Sequence, residues 1–417
     1  MNTSMEHFDV IVIGGGASGM MAAGRAAEMG KKVLLIEKNK QLGEKLKISG
    51  GGRCNITNAE YDIRKFLAHY GNAAEFLFSP FSQFGVKNTF EFFESLGLPL
   101  VVQARNRAFP HTEKSVDVVN VLLSYLKKGN VVIKTNTPVK KILHDEEQIT
   151  GILTSIGTYT ADTYILATGG VSHPETGSTG DGFGFLRSIG HTVKDPTPTI
   201  VPLSTYEEWN HVLSGISLSF MKISFFLNGK KEFSKTGKIL FTHFGLSGPL
   251  ILNSASKVAD LLQEGSVNAF IDAYPDTEIG SLDTQITKIF DINKNKMLKN
   301  ILKDIVPEGM SPGIKILLED AGIDLETKVH SVSKEARRKI VDTLKALPIT
   351  ITGLMGFDRA VVADGGVALS EIDTKTMKSN LYSNLSVTGD LLHINRPSGG
   401  FSLQICWTTG YVAGSNA

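Results

Sequence analysis

Residues 8–38 read FDVIVIGGGASGMMAAGRAAEMGKKVLLIEK, and the organisation of the whole chain follows from them. Phe8 to Ile13 is a short, nearly all-apolar run rich in β-branched residues, the pattern of a strand buried on both faces. Gly14, Gly16 and Gly19 then satisfy G-x-G-x-x-G, and Met20 to Met29 predicts a small-residue helix stopped by Gly30. A second apolar strand, Val33 to Ile36, ends in Glu37. Gly14 permits the tight turn, Gly16 admits a pyrophosphate to the backbone, and Gly19 lets helix and strand pack closely. Phosphates suit the start of this helix, where unpaired N–H groups meet the positive end of the helix dipole. Glu37 is spaced to accept hydrogen bonds from both ribose hydroxyls and to disfavour a 2′-phosphate. The stretch therefore predicts a dinucleotide site for an unphosphorylated adenosine. Val10 to Ala27 is apolar, but its five glycines and Arg25 fit the nucleotide unit better than a membrane span.

The bulk composition sets limits on the rest. A chain of 417 residues has room for two or three domains and a substantial core. Its 43 basic and 42 acidic residues nearly balance, which argues against nucleic acid or a membrane surface as a partner. Residues 1–8 (MNTSMEHF) lack the basic start and apolar centre of a signal peptide. Cys54 and Cys406 form no C-x-x-C pair, and the ten histidines are scattered, so no metal site is expected. A cytoplasmic, soluble, globular protein is expected.

Further glycine-rich stretches follow along the chain. In ISGGGRCNITN (48–58), Gly50, Gly51 and Gly52 expose backbone donors to a flat ring or a phosphate, with Arg53, Cys54 and Asn55 after them and Lys45 upstream. Cys54 reads either as a flavin-attachment or redox thiol or, more commonly for such a residue, as a small packed side chain. Phe76 to Gly97 is phenylalanine-rich and ends with helical spacing stopped by Gly97. Residues 105–117 form a polar turn leading to a helix over Val116 to Lys128. Strands are expected near 131–135, 138–143 and 149–154, Val139 being counted with the cofactor-side residues. A buried strand, Tyr164 to Ala167, runs into Thr168, Gly169 and Gly170. GSTGDG (177–182) opens a helix that Asp181 caps or, alternatively, flanks as part of a cofactor wall.

Beyond Asp195, prolines and alternating runs such as Ser217 to Leu227 predict antiparallel β structure. Residues 277–346 turn helical and charged, and strands return after Pro348 (ITITGL, AVVADGGVAL). Gly389-Asp390 ends a strand, and Gly399-Gly400 precede the last helix, repeating the exposed-donor pattern of the first motif. The expected fold is α/β: a nucleotide domain (1–195 and 355–417) interrupted by an antiparallel β insert (196–276, completed near 347–354) and a helical stretch (277–346).

These motifs, with LFTHFGLSGP (240–249), TGDLL (388–392) and GGFSLQ (399–404), resemble the FAD-dependent oxidoreductase family of YhiN/BaiN/aminoacetone-oxidase-like flavoproteins over nearly the whole chain. The resemblance implies a Rossmann-like FAD-binding domain with an inserted β domain and a small helical domain. It also implies that Gly14, Gly16, Ala17, Ser18 and Gly19 hold the pyrophosphate, and that Glu37 and Lys38 hold the adenosine ribose. It places Gly51, Arg53, Cys54 and Asn55 beside the flavin, and Lys45, Gly50 and Gly52 are counted with them as cofactor-binding residues. Ala167, Thr168, Gly169 and Gly170 would pass under the FAD, and Gly389, Asp390, Gly399, Gly400 and Phe401 would close the site. Residues 393–397 (HINRP) depart from the acidic, glycine-containing turn common in the family, and Phe401 and Ser402 stand where tyrosine and asparagine are common.

FAD would supply hydride or electron transfer at N5. With a single dinucleotide motif, two electron routes stay open: NAD(P)H docking transiently, or an organic reductant with oxygen as acceptor. His243 is the first candidate proton carrier, followed by Arg107 and His173, although a hydrogen-bonded structural role is commoner for such residues. The expected partner is a small-molecule substrate, without nucleic acid or membrane. Two alternatives remain at this stage: a non-enzymatic FAD sensor or scaffold, and a flavin-dependent RNA-modifying enzyme, which the balanced charge disfavours.

Overall fold

A computed structural model of the protein describes residues 7–356 and 362–417. Residues 1–6, and Ala360 and Val361 of the expected AVVADGGVAL strand, lie outside the described residues. The chain divides into two compact units, one within Met1–Thr197 and Val361–Ala417, the other within Pro198–Ala360.

The first unit is built on strand β1 (His7–Ile13). β1 pairs in parallel with β2 (Val33–Ile36) on one side and with Thr158–Leu166 on the other. The sheet runs 132–134, β2, β1, 158–166, 149–154, 139–144, with 385–387 also parallel to 158–166. Val10, Ile11 and Val12 have no exposed surface, because layers cover both faces of a parallel sheet. Helix α1 (Ala17–Glu28) forms one layer, and the C-terminal helix Phe401–Ser415 packs against it. A Cβ on Gly410 would lie 2.4 Å from Ser18 O, and one on Gly414 would lie 2.4 Å from Ala22 O, so only glycine lets these helices meet this closely. Trp407 Nε1 donates to Ile56 O at 2.9 Å and ties the last helix to the segment after the glycine triplet.

The phenylalanine-rich region forms two helices, Ala74–Gln83 and Val86–Ser95, whose Phe81 and Phe93 enter the core. The returning chain is pinned by His191, which is buried. Its Nδ1 lies 2.6 Å from Glu371 and its Nε2 lies 2.9 Å from Ser379 Oγ.

In the second unit six antiparallel strands close a barrel in the order 203–205, 245–247, 230–242, 217–227, 267–272 and 347–354. The helices Ile279–Ile292, Leu298–Ile305, Ser311–Asp320 and Lys334–Lys345 do not form a core of their own. Ile286, Ile301, Leu318 and Val341 share one apolar cluster with barrel residues such as Ile223 and Phe241. From Pro198 on, the stretches 196–276, 277–346 and 347–354, which the sequence divided between a β and a helical domain, lie in one unit. No described helix is long and apolar enough to cross a membrane.

Candidate functional site

The first unit contains a cavity of about 510 Å³ whose wall comes from the glycine turn after β1, the end of β2, residues 43–51, residues 167–181 and the segment 390–406. At the glycine turn Gly14 has φ +104°, and a Cβ there would lie 2.5 Å from Ala167 O. A Cβ on Gly19 would lie 1.9 Å from Gly14 O. Gly16, by contrast, has nothing within 4 Å of where a Cβ would be. Gly16 is also the N-cap of α1, with no side-chain cap and no acid in the first turn. Unpaired first-turn N–H groups beside open space fit a pyrophosphate.

At the end of β2 the Glu37 side chain is buried and fixed at both oxygens. Oε2 accepts from Gly15 N at 2.7 Å and Oε1 from Asn39 N at 2.8 Å. Each carboxylate oxygen keeps a further lone pair for a ligand hydroxyl. Lys38 Nζ bonds Asp181 Oδ2 at 2.7 Å, and Asn39 Nδ2 donates to Thr176 O at 2.9 Å, fastening residues 176–181 beside this end. Burial would raise the Asp181 carboxyl, but the Lys38 and Thr179 hydrogen bonds outweigh it and hold it below the ordinary range.

Gly50 and Gly51 also line the cavity, with φ of +58° and +68°. Asn55 locks two separate segments together. Oriented to satisfy its neighbours, its amide nitrogen donates to Thr57 O (3.0 Å) and Ala108 O (3.2 Å), while its oxygen accepts from Gly400 N (2.9 Å). Gly400 has φ +101°, and a Cβ there would lie 2.3 Å from the Thr57 carbonyl carbon. Asp390 lines the cavity too, its Oδ1 2.6 Å from Arg396 Nη1 and its Oδ2 3.2 Å from Lys45 Nζ. Burial pushes the Asp390 carboxyl up, but Lys45 and Arg396 together hold it below the ordinary range.

Backbone donors at one wall, a fixed carboxylate at the end of β2 and a glycine-lined pocket beyond them fit an extended dinucleotide. The sequence pattern of the HI0933-like protein Rossmann domain matches residues 8–416. The chain belongs to this family. It is 30% identical to the "3-dehydro-bile acid delta(4,6)-reductase" of Clostridium scindens, over 97% of this chain and 98% of that protein. It is 28% identical to the "Ribosomal RNA dihydrouridine synthase" of Haemophilus influenzae, over 98% of each. The solved 3-ketosteroid-delta4-(5alpha)-dehydrogenase of Rhodococcus jostii RHA1 shares the fold, with a TM-score of 0.53 at 14% identity, covering 100% of this chain and 98% of that one. This HI0933-like protein is a flavin-dependent oxidoreductase.

The cavity wall brings together Gly14, Gly16, Ala17, Ser18, Glu37, Lys38, Lys45, Gly50, Gly51, Asn55, Val139, Ala167, Thr168, Gly169, Asp390, Gly399 and Gly400, with His173. Other expected residues lie off it. Gly19, Gly170 and Gly389 are packing positions: a Cβ on Gly170 would contact Asp390 Cβ at 3.4 Å, and one on Gly389 would lie 2.8 Å from Ser18 Oγ. Gly52 turns the chain with φ +83°. Arg53 lies over Phe109 instead of lining the cavity. Cys54 is fully buried, and burial pushes its thiol up to about 12, which suits a packed residue and not an attachment point. Phe401 is buried against Phe66 and His69. Arg107 hydrogen-bonds Ala104 O beside Phe109, and His243 is exposed in the second unit.

Ser402, Leu403 and Cys406 also line the cavity but were not among the expected residues. Their spacing along the helix that begins after Gly400 was the available signal, since neighbours at i, i+1 and i+4 share a helix face. Thr137, Pro397 and Ser398 line it too, with no comparable pattern in the sequence.

Proposed function

We propose that the protein binds FAD along this cavity and reduces a carbon–carbon double bond conjugated to a carbonyl group in a small organic molecule. The observation that carries the choice of FAD is Glu37, whose carboxylate is fixed by Gly15 and Asn39 at the end of β2, where it suits a ribose with both hydroxyls free. The choice of reaction is supported by the relatives' names. A delta(4,6)-reductase of a 3-dehydro bile acid and a dihydrouridine synthase each describe hydrogen added to a double bond conjugated with a carbonyl.

Bound flavin supplies hydride transfer at N5. The chain's own residues then have three tasks. The amides at the start of α1 hold the pyrophosphate, and Glu37 holds the ribose. Asp390, kept ionised by Lys45 and Arg396, presents acceptors to the cavity. A proton must also be delivered, and among the three candidate carriers only His173 lines the cavity. Its Nδ1 lies 2.8 Å from Glu175, and that hydrogen bond holds the Glu175 carboxyl below the ordinary range. An ionised Glu175 fixes the proton on Nδ1 and leaves Nε2 to exchange protons.

The deciding experiment is the visible spectrum of the purified protein, followed by anaerobic NADH or NADPH and then a steroid enone. Bleaching of an oxidised-flavin spectrum and its recovery on adding the enone is the expected result. A flavin that no nicotinamide bleaches points to an oxidase or a sensor, and protein that cannot take up FAD overturns the proposal. A second reading, action on uridine in RNA, draws on the Haemophilus relative and runs against the near-equal counts of 43 basic and 42 acidic residues. Recovery of the spectrum by uridine-containing RNA and not by the enone would select it.

A further inference from the structure

Beside the glycine-triplet end of the cavity, the first unit gathers arginines that no task above uses. Arg53 follows the triplet, Arg105 lies in the turn Ala104–Asn106, and Arg107 opens the strand Arg107–Pro110. The guanidinium carbons of Arg53 and Arg107 lie 4.6 and 5.7 Å from the centre of the same Phe109 ring. That ring is only 1% exposed, so it forms a fixed floor for two planar cations. The arrangement is tied to the cavity wall. Asn58 Nδ2 donates both to Arg105 O (3.1 Å) and to the lining residue Gly399 (3.2 Å). A Cβ on the lining residue Gly50 would lie 3.7 Å from Phe109 Cε1.

These cations are poorly neutralised. Among the described residues Arg107 bonds only through Nε, to Ala104 O at 3.1 Å, which leaves its terminal nitrogens without a protein acceptor. Arg53 meets Glu113 only at 3.4 Å, and the other Glu113 oxygen is taken by Gln103. Two guanidiniums on one ring repel each other, and stability alone would favour an acid between them or a neutral replacement. The guanidinium fork is instead matched to a carboxylate, which it grips with two parallel hydrogen bonds.

Granting the enone reduction proposed above, we propose that Arg107 and Arg53 on Phe109 form a specificity site for a carboxylate on the substrate, so that the physiological substrate is an anionic enone. The test is a titration of the flavin-loaded protein with a 3-oxo-4-ene bile acid and with its methyl ester, read through the flavin absorbance. The acid is expected to bind about tenfold more tightly than the ester, the size of one lost charge-assisted hydrogen bond. Arg107→Gln should bring the acid down to the affinity of the ester while leaving the ester and the flavin content unchanged. Arg107→Lys should restore part of the difference, since a point charge lacks the fork. Arg53→Gln should have the smaller effect, its charge being partly met by Glu113.

Equal affinity for acid and ester, no binding of either, or an equal loss for both in Arg107→Gln overturns the site. The reaction is judged separately. Acid-selective binding without reoxidation of the reduced flavin supports the arginine site and sinks the enone reduction.

Discussion

The two glycine-rich walls of the cavity are held by different physics. In the turn after β1, space is the constraint: a Cβ on Gly19 would sit 1.9 Å from a backbone oxygen. In the triplet, Gly51 and Gly52 have nothing within 4 Å of a Cβ, and the constraint is conformation, with φ of +68° and +83°. The first wall is a local unit of consecutive residues. The second is assembled from distant ones, through Asn55 to Gly400 and through Lys45 and Arg396 to Asp390. A local wall therefore fails by overpacking, whereas an assembled wall fails when a tie between segments is cut.

Cutting the tie at Asp390 should have the largest effect. Asp390→Ala leaves Arg396, which is 1% exposed, without its carboxylate, at a cost of about 3–5 kcal/mol in urea unfolding. The same tie gives a pH signature. The Asp390 carboxyl is held below its ordinary value of 3.8, so its stabilisation is complete above that value and lost as pH falls through the folded one. The difference in melting temperature between the wild type and Asp390→Asn should be constant from neutrality to about pH 5 and shrink below pH 4. A constant difference down to pH 3 would show that the pair is not the source.

Overpacking the local wall comes next. Gly19→Ala should cost about 3 kcal/mol in the same assay, since the clashing atom, Gly14 O, is backbone. A loss under 1 kcal/mol would mean that the helix can shift off the strand. Glu37→Gln should fold normally and lose about tenfold in FAD affinity, seen in a fluorescence titration, because an amide nitrogen replaces one of two acceptors. Gly51→Ala should have the smallest effect, about 1–2 kcal/mol from forcing a side chain into the left-handed region. A Gly51→Ala loss equal to that of Gly19→Ala would erase the distinction between the walls.

Legibility in the sequence followed the same division. The β1 turn, α1, β2 and Glu37 could be read because strand period, glycine spacing and helix start lie within one continuous stretch. The triplet was expected as a cofactor wall, but which of its residues line the cavity was not separable in the sequence. Gly50 and Gly51 line the cavity, while Gly52, Arg53 and Cys54 are off its wall, a division that glycine spacing does not encode. The helices of 277–346 were visible as helices. That they share the barrel's core was not, since periodicity shows which face is apolar and not what covers it.

Taken alone, the sequence determined the family and its flavin chemistry, since both are written in short contiguous motifs. Tertiary structure decided the rest. It set Asp390 between Lys45 and Arg396, made Asn55 the clasp for Gly400, buried Cys54 and brought Arg53 and Arg107 to one ring. The physical reason is distance along the chain. Charge pairing, burial and ring contacts act through space, and residues 345 positions apart, such as Lys45 and Asp390, meet only once the chain has folded.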